Sequence, residues 1–324
     1  MRLVFAGTPA VAVPTLRSLA AEHEIVAEHE IVAVVTRPDA PLGRKRVLTP
    51  SPVAAAAEEL GLPVIKAARL DDEATAQITA LRAELGVIVA YGGLVREPLL
   101  SAPTHGWINL HFSLLPRWRG AAPVQRALIA GDDEIGVAVF QLVPALDAGD
   151  VFAMHTVDID PLATADAVLD MLAVDGAALT RDVVAGIAAG TAVAVPQQGE
   201  PTLAPKLGLP DGLLDWGAPL TEVFARFRGV TPEPGAYTTV AGDRLKILAA
   251  APAADEEPLA PGHVRAIRSA LLVGTATAPL AVTRVQPAGK GAMAATDWWR
   301  GLRDTAGIVL GDATATDDAT GEAR

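Results

Sequence analysis

Two polar residues, Asn109 and His111, lie two positions apart inside the apolar segment 107–113 (WINLHFS). If this segment is a strand, their side chains project to the same face, because side chains alternate along a strand. An imidazole can transfer a proton near neutral pH, and a side-chain amide can donate a hydrogen bond to a developing negative charge. The spacing therefore indicates a possible acid–base site.

Asp147 is the candidate third member of this site. It lies just beyond another apolar run, 137–142, in the sequence ALDAGD at 145–150. A carboxylate near His111 would raise the pKa of the imidazole and hold its orientation. Spacing alone leaves an alternative open, in which Asn109 and His111 are half-buried strand residues bonded to the backbone and Asp147 only caps a turn.

Other kinds of chemistry are disfavoured by composition and motif. The absence of cysteine excludes disulfides, thiolate metal sites and cysteine nucleophiles. The six histidines include no H-E-x-x-H pair, so we expect no metal. The first apolar run ends in AGTP at 6–9 rather than in G-x-G-x-x-G, which argues against a dinucleotide cofactor.

The elements that would position these residues follow an α/β pattern, because short apolar runs alternate with helical stretches through the first half of the chain. This alternation predicts a mostly parallel sheet, and ligands bind such sheets at the carboxyl ends of the strands. Thr8 is expected to cap the first helix and Pro9 to begin it. The predicted strands are 3–5, 31–36, 64–65, 87–91, 107–110 and 137–142, and the predicted helices are 9–21, 51–60, 71–85, 121–130 and 166–188.

A change of composition at 190–206, where Gly, Pro and Gln accumulate, predicts a linker. A catalytic domain would then span 1–189, and a second domain would span 207–312. The second domain has one predicted helix, 220–228, and regularly spaced strands typical of a small β-barrel. Residues 313–324 are poor in bulky apolar side chains and are expected to form a disordered tail.

Charge and hydropathy limit the location and the partners of the protein. The longest uncharged run, 183–199, is too short to span a membrane, and prolines interrupt the apolar segment 2–16, so we expect a cytoplasmic protein without a signal peptide. We separately expect the protein to be a monomer. The net charge of −12 argues against an overall basic surface. Basic residues nevertheless group together at 37 and 44–46, at 117, 119 and 126, and at 290, 300 and 303.

The run 109–125 (NLHFSLLPRWRGAAPVQ) resembles the signature of methionyl-tRNA formyltransferases, and Leu146, Asp147 and Gly149 resemble a later block of that family. The likeness extends over nearly the whole chain, with FAGTP at 5–9, TRPD at 36–39, VAYG at 89–92 and QPAGK at 286–290. It implies a Rossmann-like formyltransferase domain with a mostly parallel sheet, followed by a small C-terminal OB-like β-barrel domain.

The resemblance also implies an activity and a set of site residues. The formyl donor would be 10-formyltetrahydrofolate, and the acceptor would be the amino group of initiator methionyl-tRNA, with no metal involved. The implied residues are Asn109, His111 and Asp147 for catalysis, Ser113, Leu114, Leu115 and Pro116 for folate binding, and Arg44, Lys45 and Arg46 for tRNA binding.

Departures from the family pattern leave two alternatives open. The usual Gly-Leu-Asp-Thr-Gly is replaced by a sequence with Ala145 and Ala148 beside Asp147, and the stretch before Asp215 and Trp216 is reduced to DGLL. The alternatives are a folate-dependent formyltransferase that acts on an amino sugar and a non-catalytic RNA-binding homologue. The basic loop 44–46 and the stretch 117–125 favour tRNA as the acceptor.

Overall fold

The structure is a computed structural model that describes residues 1–26, 29–43, 46–305 and 307–311. The chain divides into two compact units. The first comprises Met1–Pro123, Glu134–Ile159 and Val168–Pro205, and the second comprises Val124–Asp133, Asp160–Ala167 and the chain from Lys206 onward. The predicted tail, 313–324, lies outside the described residues.

The first unit is built around a seven-stranded sheet. The strands of this unit, in chain order, are β1 (Arg2–Gly7), β2 (Glu30–Thr36), β3 (Ala40–Leu42), β4 (Val47–Thr49), β5 (Val64–Lys66), β6 (Leu85–Val89), β7 (Trp107–His111), β8 (Arg119–Gly120), β9 (Glu134–Gln141), β10 (Val151–Asp158) and β11 (Leu203–Ala204). The strands β3 and β4 form one short pair outside the seven-stranded sheet, and β8 and β11 form another. This unit contains the helices α1 (Val13–Val26), α2 (Pro52–Glu59) and α3 (Asp72–Ala80). Two further helices are divided between the units: α4 (Pro123–Ala130) belongs to the second unit from Val124 onward, and α5 (Ala165–Ala188) belongs to the first unit from Val168 onward.

The strand order is β10-β9-β7-β6-β1-β2-β5. The strands β7, β6, β1, β2 and β5 run parallel, whereas β9 runs antiparallel to β7, and β10 runs antiparallel to β9. All five residues of β6 are buried, as expected for a central parallel strand that is covered on both faces. The mostly parallel sheet predicted from the sequence is confirmed.

Side-chain caps explain why two helices begin where the sequence predicts. The Ser51 hydroxyl accepts a hydrogen bond from the Ala54 N–H at 3.0 Å, with Pro52 in the first position of α2. The Asp71 carboxylate accepts one from the Ala74 N–H at 3.0 Å at the start of α3. Each cap satisfies a backbone donor that the helix itself leaves unpaired.

Other predicted boundaries are wrong. Thr8 does not cap a helix, since its hydroxyl donates to the Tyr91 carbonyl at 3.3 Å and a 3₁₀ turn (Ala10–Ala12) precedes α1. The third helix ends at Ala80 rather than at 85, because the backbone turns left-handed at Arg82 (φ 51°). The strand β6 ends at Val89 rather than at 91, because Ala90 has a φ of 48°.

The second unit contains an antiparallel sheet with a helix packed in its core, which confirms the predicted small β domain. Its elements are α6 (Leu220–Val230), β12 (Tyr237–Val240), β13 (Asp243–Pro252), β14 (Val264–Ala266), β15 (Leu271–Val273), β16 (Leu280–Pro287), β17 (Met293–Ala294) and α7 (Ala295–Arg300). The order is β12-β13-β16-β15-β14, with β17 beside β16. Phe224 and Phe227 of α6 stack at 6.0 Å within the core of this unit.

The segment 190–205 belongs to the first unit. Val195 forms two backbone hydrogen bonds with Val151, at 2.8 and 2.9 Å, and β11 pairs in parallel with β8. Division into domains at 189 and 207 stays a prediction. In the part of the chain that the structure describes, no helix is both long enough and apolar enough to cross a membrane.

Candidate active site

The strand β7 positions the two polar residues that the sequence singles out. It lies between β6 and β9, and its apolar residues are buried. Asn109 is half-buried, and only 5% of His111 is exposed. Both residues line one cavity, which is about 680 Å³ in volume. The strand therefore brings an amide and an imidazole to the same pocket.

One ring nitrogen of His111 is bonded to the backbone. Its Nε2 lies 2.8 Å from the carbonyl oxygen of Trp118. A carbonyl oxygen can only accept a hydrogen bond, so Nε2 carries the proton, and in the neutral ring Nδ1 is left as an acceptor. This Nδ1 lies 3.9 Å from Oδ2 of Asp147. The nitrogen that faces the carboxylate is therefore the one that can take up a proton.

The environment of His111 favours the neutral ring. Burial lowers the pKa of His111, and the Asp147 carboxylate and the hydrogen bond to the Trp118 carbonyl only partly oppose that effect. The ring of Phe140 lies edge-on to the imidazole, with the ring centroids 6.3 Å apart. His111 is thus a buried base whose protonated form would have two acceptors in place, one on each nitrogen.

The turn after β7 holds the Trp118 carbonyl in place. The Ser113 hydroxyl donates to the Arg117 carbonyl at 2.6 Å, and the Trp118 N–H donates to the Thr202 hydroxyl at 2.9 Å. Trp118 adopts a left-handed backbone with a φ of 60°, which is rare for a bulky residue and marks a turn that its surroundings enforce. The hydroxyl of Ser113 is therefore engaged within the protein.

Asp147 is held through both its side chain and its backbone. Its Oδ2 accepts a hydrogen bond from the Gly120 N–H at 2.7 Å, and its carbonyl accepts one from Nε2 of Gln197 at 2.8 Å. The residue has a φ of 44°. Gly149 allows this turn to pass the end of β9, because a Cβ at that position would lie 1.8 Å from the carbonyl oxygen of Gln141.

The two alanines beside Asp147 are compatible with this turn. Ala145 is not among the residues with a left-handed backbone, so the missing glycine is not required for a positive φ. The Ala148 N–H donates to the Ala145 carbonyl at 3.4 Å, which closes the turn without a side chain.

The cavity walls come from four parts of the first unit: β7 with the following Phe112, the end of β6 with the loop after it, the segment 120–123, and the loop after β9. Asp147 lies at the cavity together with Asn109 and His111, whereas the predicted folate residues 113–116 are not among the residues that line it. Ser113 and Leu115 are buried, at 1% and 4% exposure. The lining residues are Ile88, Ala90–Glu97, Leu100, Asn109–Phe112, Gly120, Ala121, Pro123 and Leu142–Asp147.

The loop 90–97 was missed as part of the site. Its conformation depends on left-handed backbone at Ala90 and Gly92, and its anchor is Tyr91, whose hydroxyl donates to the Ala67 carbonyl at 3.2 Å. Arg37 also donates to the Gly92 carbonyl at 2.7 Å. The sequence feature that could have indicated this loop is VAYG at 89–92, which begins with the last residue of the buried parallel strand β6.

Of the predicted tRNA residues, Arg44 and Lys45 lie outside the described residues. Arg46 is exposed and is the turn residue directly before β4, with a φ of 50°. Large apolar side chains next to it are also exposed, with Leu42 at 67% and Leu48 at 69%. Within the described ranges, no group of three or more His, Cys, Asp or Glu is placed to hold a metal ion.

Comparison with known proteins assigns the chain to a family. The family profile described as "Formyl transferase" matches residues 1–183, and "Formyl transferase, C-terminal domain" matches residues 206–303. The chain is 63% identical, over 301 residues, to a methionyl-tRNA formyltransferase of Leifsonia xyli subsp. xyli, covering 93% of this chain and 97% of that protein. The chain belongs to the methionyl-tRNA formyltransferase family. A relative of the same name from Clavibacter sepedonicus is 61% identical over 93% of this chain and 97% of its own length.

A solved structure outside this family shares the fold. It is the N-formyltransferase from Helicobacter canadensis in complex with folinic acid and dTDP-3-aminofucose, with a TM-score of 0.66 at 15% identity. The match covers 88% of this chain and 98% of that one. The fold of this chain thus recurs at low sequence identity.

Proposed function

We propose that the protein transfers the formyl group of 10-formyltetrahydrofolate to the amino group of initiator methionyl-tRNA, giving N-formylmethionyl-tRNA for translation initiation. The observation that carries the proposal is the meeting of Asn109, His111 and Asp147 at one cavity in a chain of the methionyl-tRNA formyltransferase family. Acyl transfer to an amine needs a hydrogen-bond donor for the carbonyl oxygen and a group that moves protons. These three residues supply both.

The cavity suits the donor end of the folate. Its volume of about 680 Å³ falls within the range of pockets that bind small molecules. Apolar side chains such as Leu100, Phe112 and Val143 would cover the flat ring system, while the backbone of 90–97 offers amide and carbonyl groups for its polar edge. Ser113, Leu114, Leu115 and Pro116 remain our predicted folate contacts, but none of them lines this cavity and three of them, Ser113, Leu115 and Pro116, are buried.

The three polar residues have distinct roles in the proposed reaction. Asn109 donates to the formyl oxygen as negative charge develops on it, an interaction worth about 3 kcal/mol in comparable sites. The nitrogen–carbon bond to the acceptor forms, and the bond from the formyl carbon to the folate nitrogen breaks. His111 takes the proton released by the attacking amine on Nδ1 and returns it to the departing folate nitrogen.

Asp147 stabilises the protonated state of His111 during this transfer. Its Oδ2 is 3.9 Å from Nδ1, close enough for electrostatic attraction, while Gly120 holds the same oxygen. The imidazolium would then face the Trp118 carbonyl on one side and the carboxylate on the other. Asp147 therefore offsets the cost of placing a positive charge in a buried position.

Arg44, Lys45 and Arg46 form our proposed contact with the tRNA. Guanidinium and ammonium groups suit phosphate, and Arg46 is exposed. We further propose that the protein acts as a monomer in the cytoplasm, where initiator tRNA is used. A mass near the chain mass of 33.3 kDa in analytical ultracentrifugation is the expected result, and a mass of twice that value would contradict it.

The test is a formyl-transfer assay with 10-formyltetrahydrofolate and three acceptors: initiator methionyl-tRNA, elongator methionyl-tRNA and a nucleotide-linked amino sugar. We expect product with the initiator tRNA. His111→Ala and Asp147→Asn should each lower kcat on the order of 100-fold or more with little change in KM for the folate, because both groups act on the transition state.

Two results would overturn the proposal. Transfer to the amino sugar without transfer to tRNA would place the protein among sugar-modifying enzymes. Tight tRNA binding with no formylation by the wild-type chain would indicate a non-catalytic RNA-binding protein. Near-normal turnover by either variant would remove that residue from the mechanism.

A further inference from the structure

Gln197, in the segment between α5 and β11, is hydrogen-bonded at both ends of its side-chain amide. Its Nε2 donates to the carbonyl of Asp147 at 2.8 Å and to the carbonyl of Gly149 at 2.9 Å. Its Oε1 accepts from Nε and Nη2 of Arg119, at 3.1 and 2.6 Å. The amide therefore uses both of its donor hydrogens on the turn that carries Asp147.

We propose that Gln197, oriented by Arg119, is a positioning residue that holds Asp147 in its working conformation. This inference rests on the proposed role of Asp147 in formyl transfer. Asp147 has a left-handed backbone with a φ of 44°, a conformation that is sterically unfavourable for an L-residue. Two hydrogen bonds to the carbonyls on either side of Ala148 offset that cost and fix the direction of the carboxylate.

Arg119 determines the orientation of the Gln197 side-chain amide. The guanidinium has only donors, so it must face Oε1, and that leaves Nε2 toward the two carbonyls. With the amide reversed, Oε1 would meet two carbonyl oxygens and Nε2 would meet the guanidinium, so every contact would be unfavourable. The next residue, Gly120, donates directly to the Asp147 carboxylate at 2.7 Å. The segment Arg119–Gly120 thus acts on Asp147 by two routes, one through Gln197 and one direct.

The contacts of Gln197 point to the site rather than to general packing. Gln197 is half-buried, and both of its carbonyl partners lie within two residues of the Asp147 carboxylate. Its neighbour Gln198 is exposed and of the same residue type, which makes it a matched control.

The test compares Gln197→Leu, which removes the donors and the acceptor at similar size, with Gln198→Leu in the formyl-transfer assay. We expect Gln197→Leu to lower kcat on the order of 10- to 100-fold while KM for folate and for tRNA changes by less than about twofold. Gln198→Leu should match the wild type. Equal kcat for both variants, or a loss confined to KM, would overturn the proposal.

A double-mutant cycle separates positioning from a structural role. In the Asp147→Asn background, Gln197→Leu should have little further effect on kcat, because the carboxylate it positions is already gone. A full, multiplicative loss in that background would overturn the proposal. If Gln197→Leu does not fold, Arg119→Lys provides the second variant, since it keeps the charge and loses the planar pair of donors. It should lower kcat in the same direction, and unchanged kcat would overturn the proposal.

Failure of this inference can be distinguished from failure of the proposed function. No formyl transfer by the wild-type chain would contradict the proposed function itself. Normal transfer by the wild type, impaired transfer by Asp147→Asn and normal transfer by Gln197→Leu would contradict the positioning role alone.

Discussion

At the scale of the residue, the site depends on which nitrogen of His111 carries the proton. The Trp118 carbonyl fixes the proton on Nε2, so Nδ1, which faces Asp147, is the basic atom of the ring. An imidazole with that nitrogen protonated instead could donate to an oxyanion from the start. In the proposed mechanism, His111 first accepts a proton and only then carries a charge.

The titration of His111 provides a direct check. Burial lowers its pKa, so we expect its imidazole NMR signal, identified by its absence in His111→Ala, to shift only at a pH below the ordinary value of about 6.5. Asp147→Asn removes an interaction that raises this pKa, and the midpoint should therefore move lower still. A midpoint that moves upward in Asp147→Asn would contradict the proposed charge interaction.

The same shift has a consequence for stability. Because the folded pKa lies below the unfolded one, the unfolded chain binds the proton more readily. The stability that His111 contributes as a neutral group is thus present above about pH 6.5 and is lost as the pH falls toward the folded pKa. The urea midpoint of His111→Ala should accordingly depend less on pH in this range than that of the wild type.

At the scale of the element, the connection between β9 and β10 is under the tightest steric limit. A Cβ on Gly149 would lie 1.8 Å from the carbonyl oxygen of Gln141, which is the last residue of β9. We expect Gly149→Ala to destabilise the fold by about 1–3 kcal/mol and to reduce kcat, because the strand end and the Asp147 turn must separate.

Gly291→Ala is the matched control, since nothing lies within 4 Å of the added Cβ. Urea unfolding measures the difference in free energy between each variant and the wild type. A Gly149→Ala variant as stable and as active as Gly291→Ala would show that the turn can relax, and it would weaken the link between this connection and the site.

Helix starts that carry a side-chain cap were predicted better than element ends and edge strands. The starts at Pro52 and Asp72 are marked by the side chains of Ser51 and Asp71, which can be recognised locally. The end of α3 depends on the positive φ of Arg82, which no residue type in the sequence indicates. The strand β10 was missed because its middle residues are exposed and it pairs only at the edge of the sheet.

The sequence predicted only those parts of the site that are formed by polar side chains on a strand. Asn109 and His111 follow from strand alternation, and their place at one cavity agrees with that reasoning. The loop 90–97 shapes the cavity with left-handed backbone, and Gln197 reaches Asp147 across 50 positions of sequence. The sequence signal for the loop was only its position after a buried strand, and a contact between distant segments leaves no recognisable pattern in a single sequence.

At the scale of the whole molecule, the net charge of −12 opposes the approach of a polyanion, so the attraction must be local. We expect the log of kcat/KM for tRNA to fall linearly with the log of salt concentration. Arg44→Ala and Arg46→Ala should each weaken tRNA use and make the slope shallower by up to about one, because one fewer phosphate contact releases fewer counterions. Unchanged slopes in both variants would contradict the proposed contact.

Arg17→Ala is a suitable control for the salt experiment. Arg17 is exposed and pairs with Glu59 at 2.6 Å, and exposed pairs contribute little to stability. The variant loses the same charge from the total without changing the hairpin. A slope equal to that of the wild type would show that position on the surface, rather than net charge, determines the salt dependence.

The pairing of β11 with β8 decides where this chain can be interrupted. Leu203–Ala204 lies beside Arg119–Gly120, so the polypeptide must pass back over the site after α5 before it leaves the first unit. A fragment that stopped at Ala188 would keep all seven strands of the main sheet and still lack Gln197 and the partner strand of Gly120. Affinity tags, protease sites and inserted modules should therefore be placed after Ala204, where the backbone no longer supports Asp147.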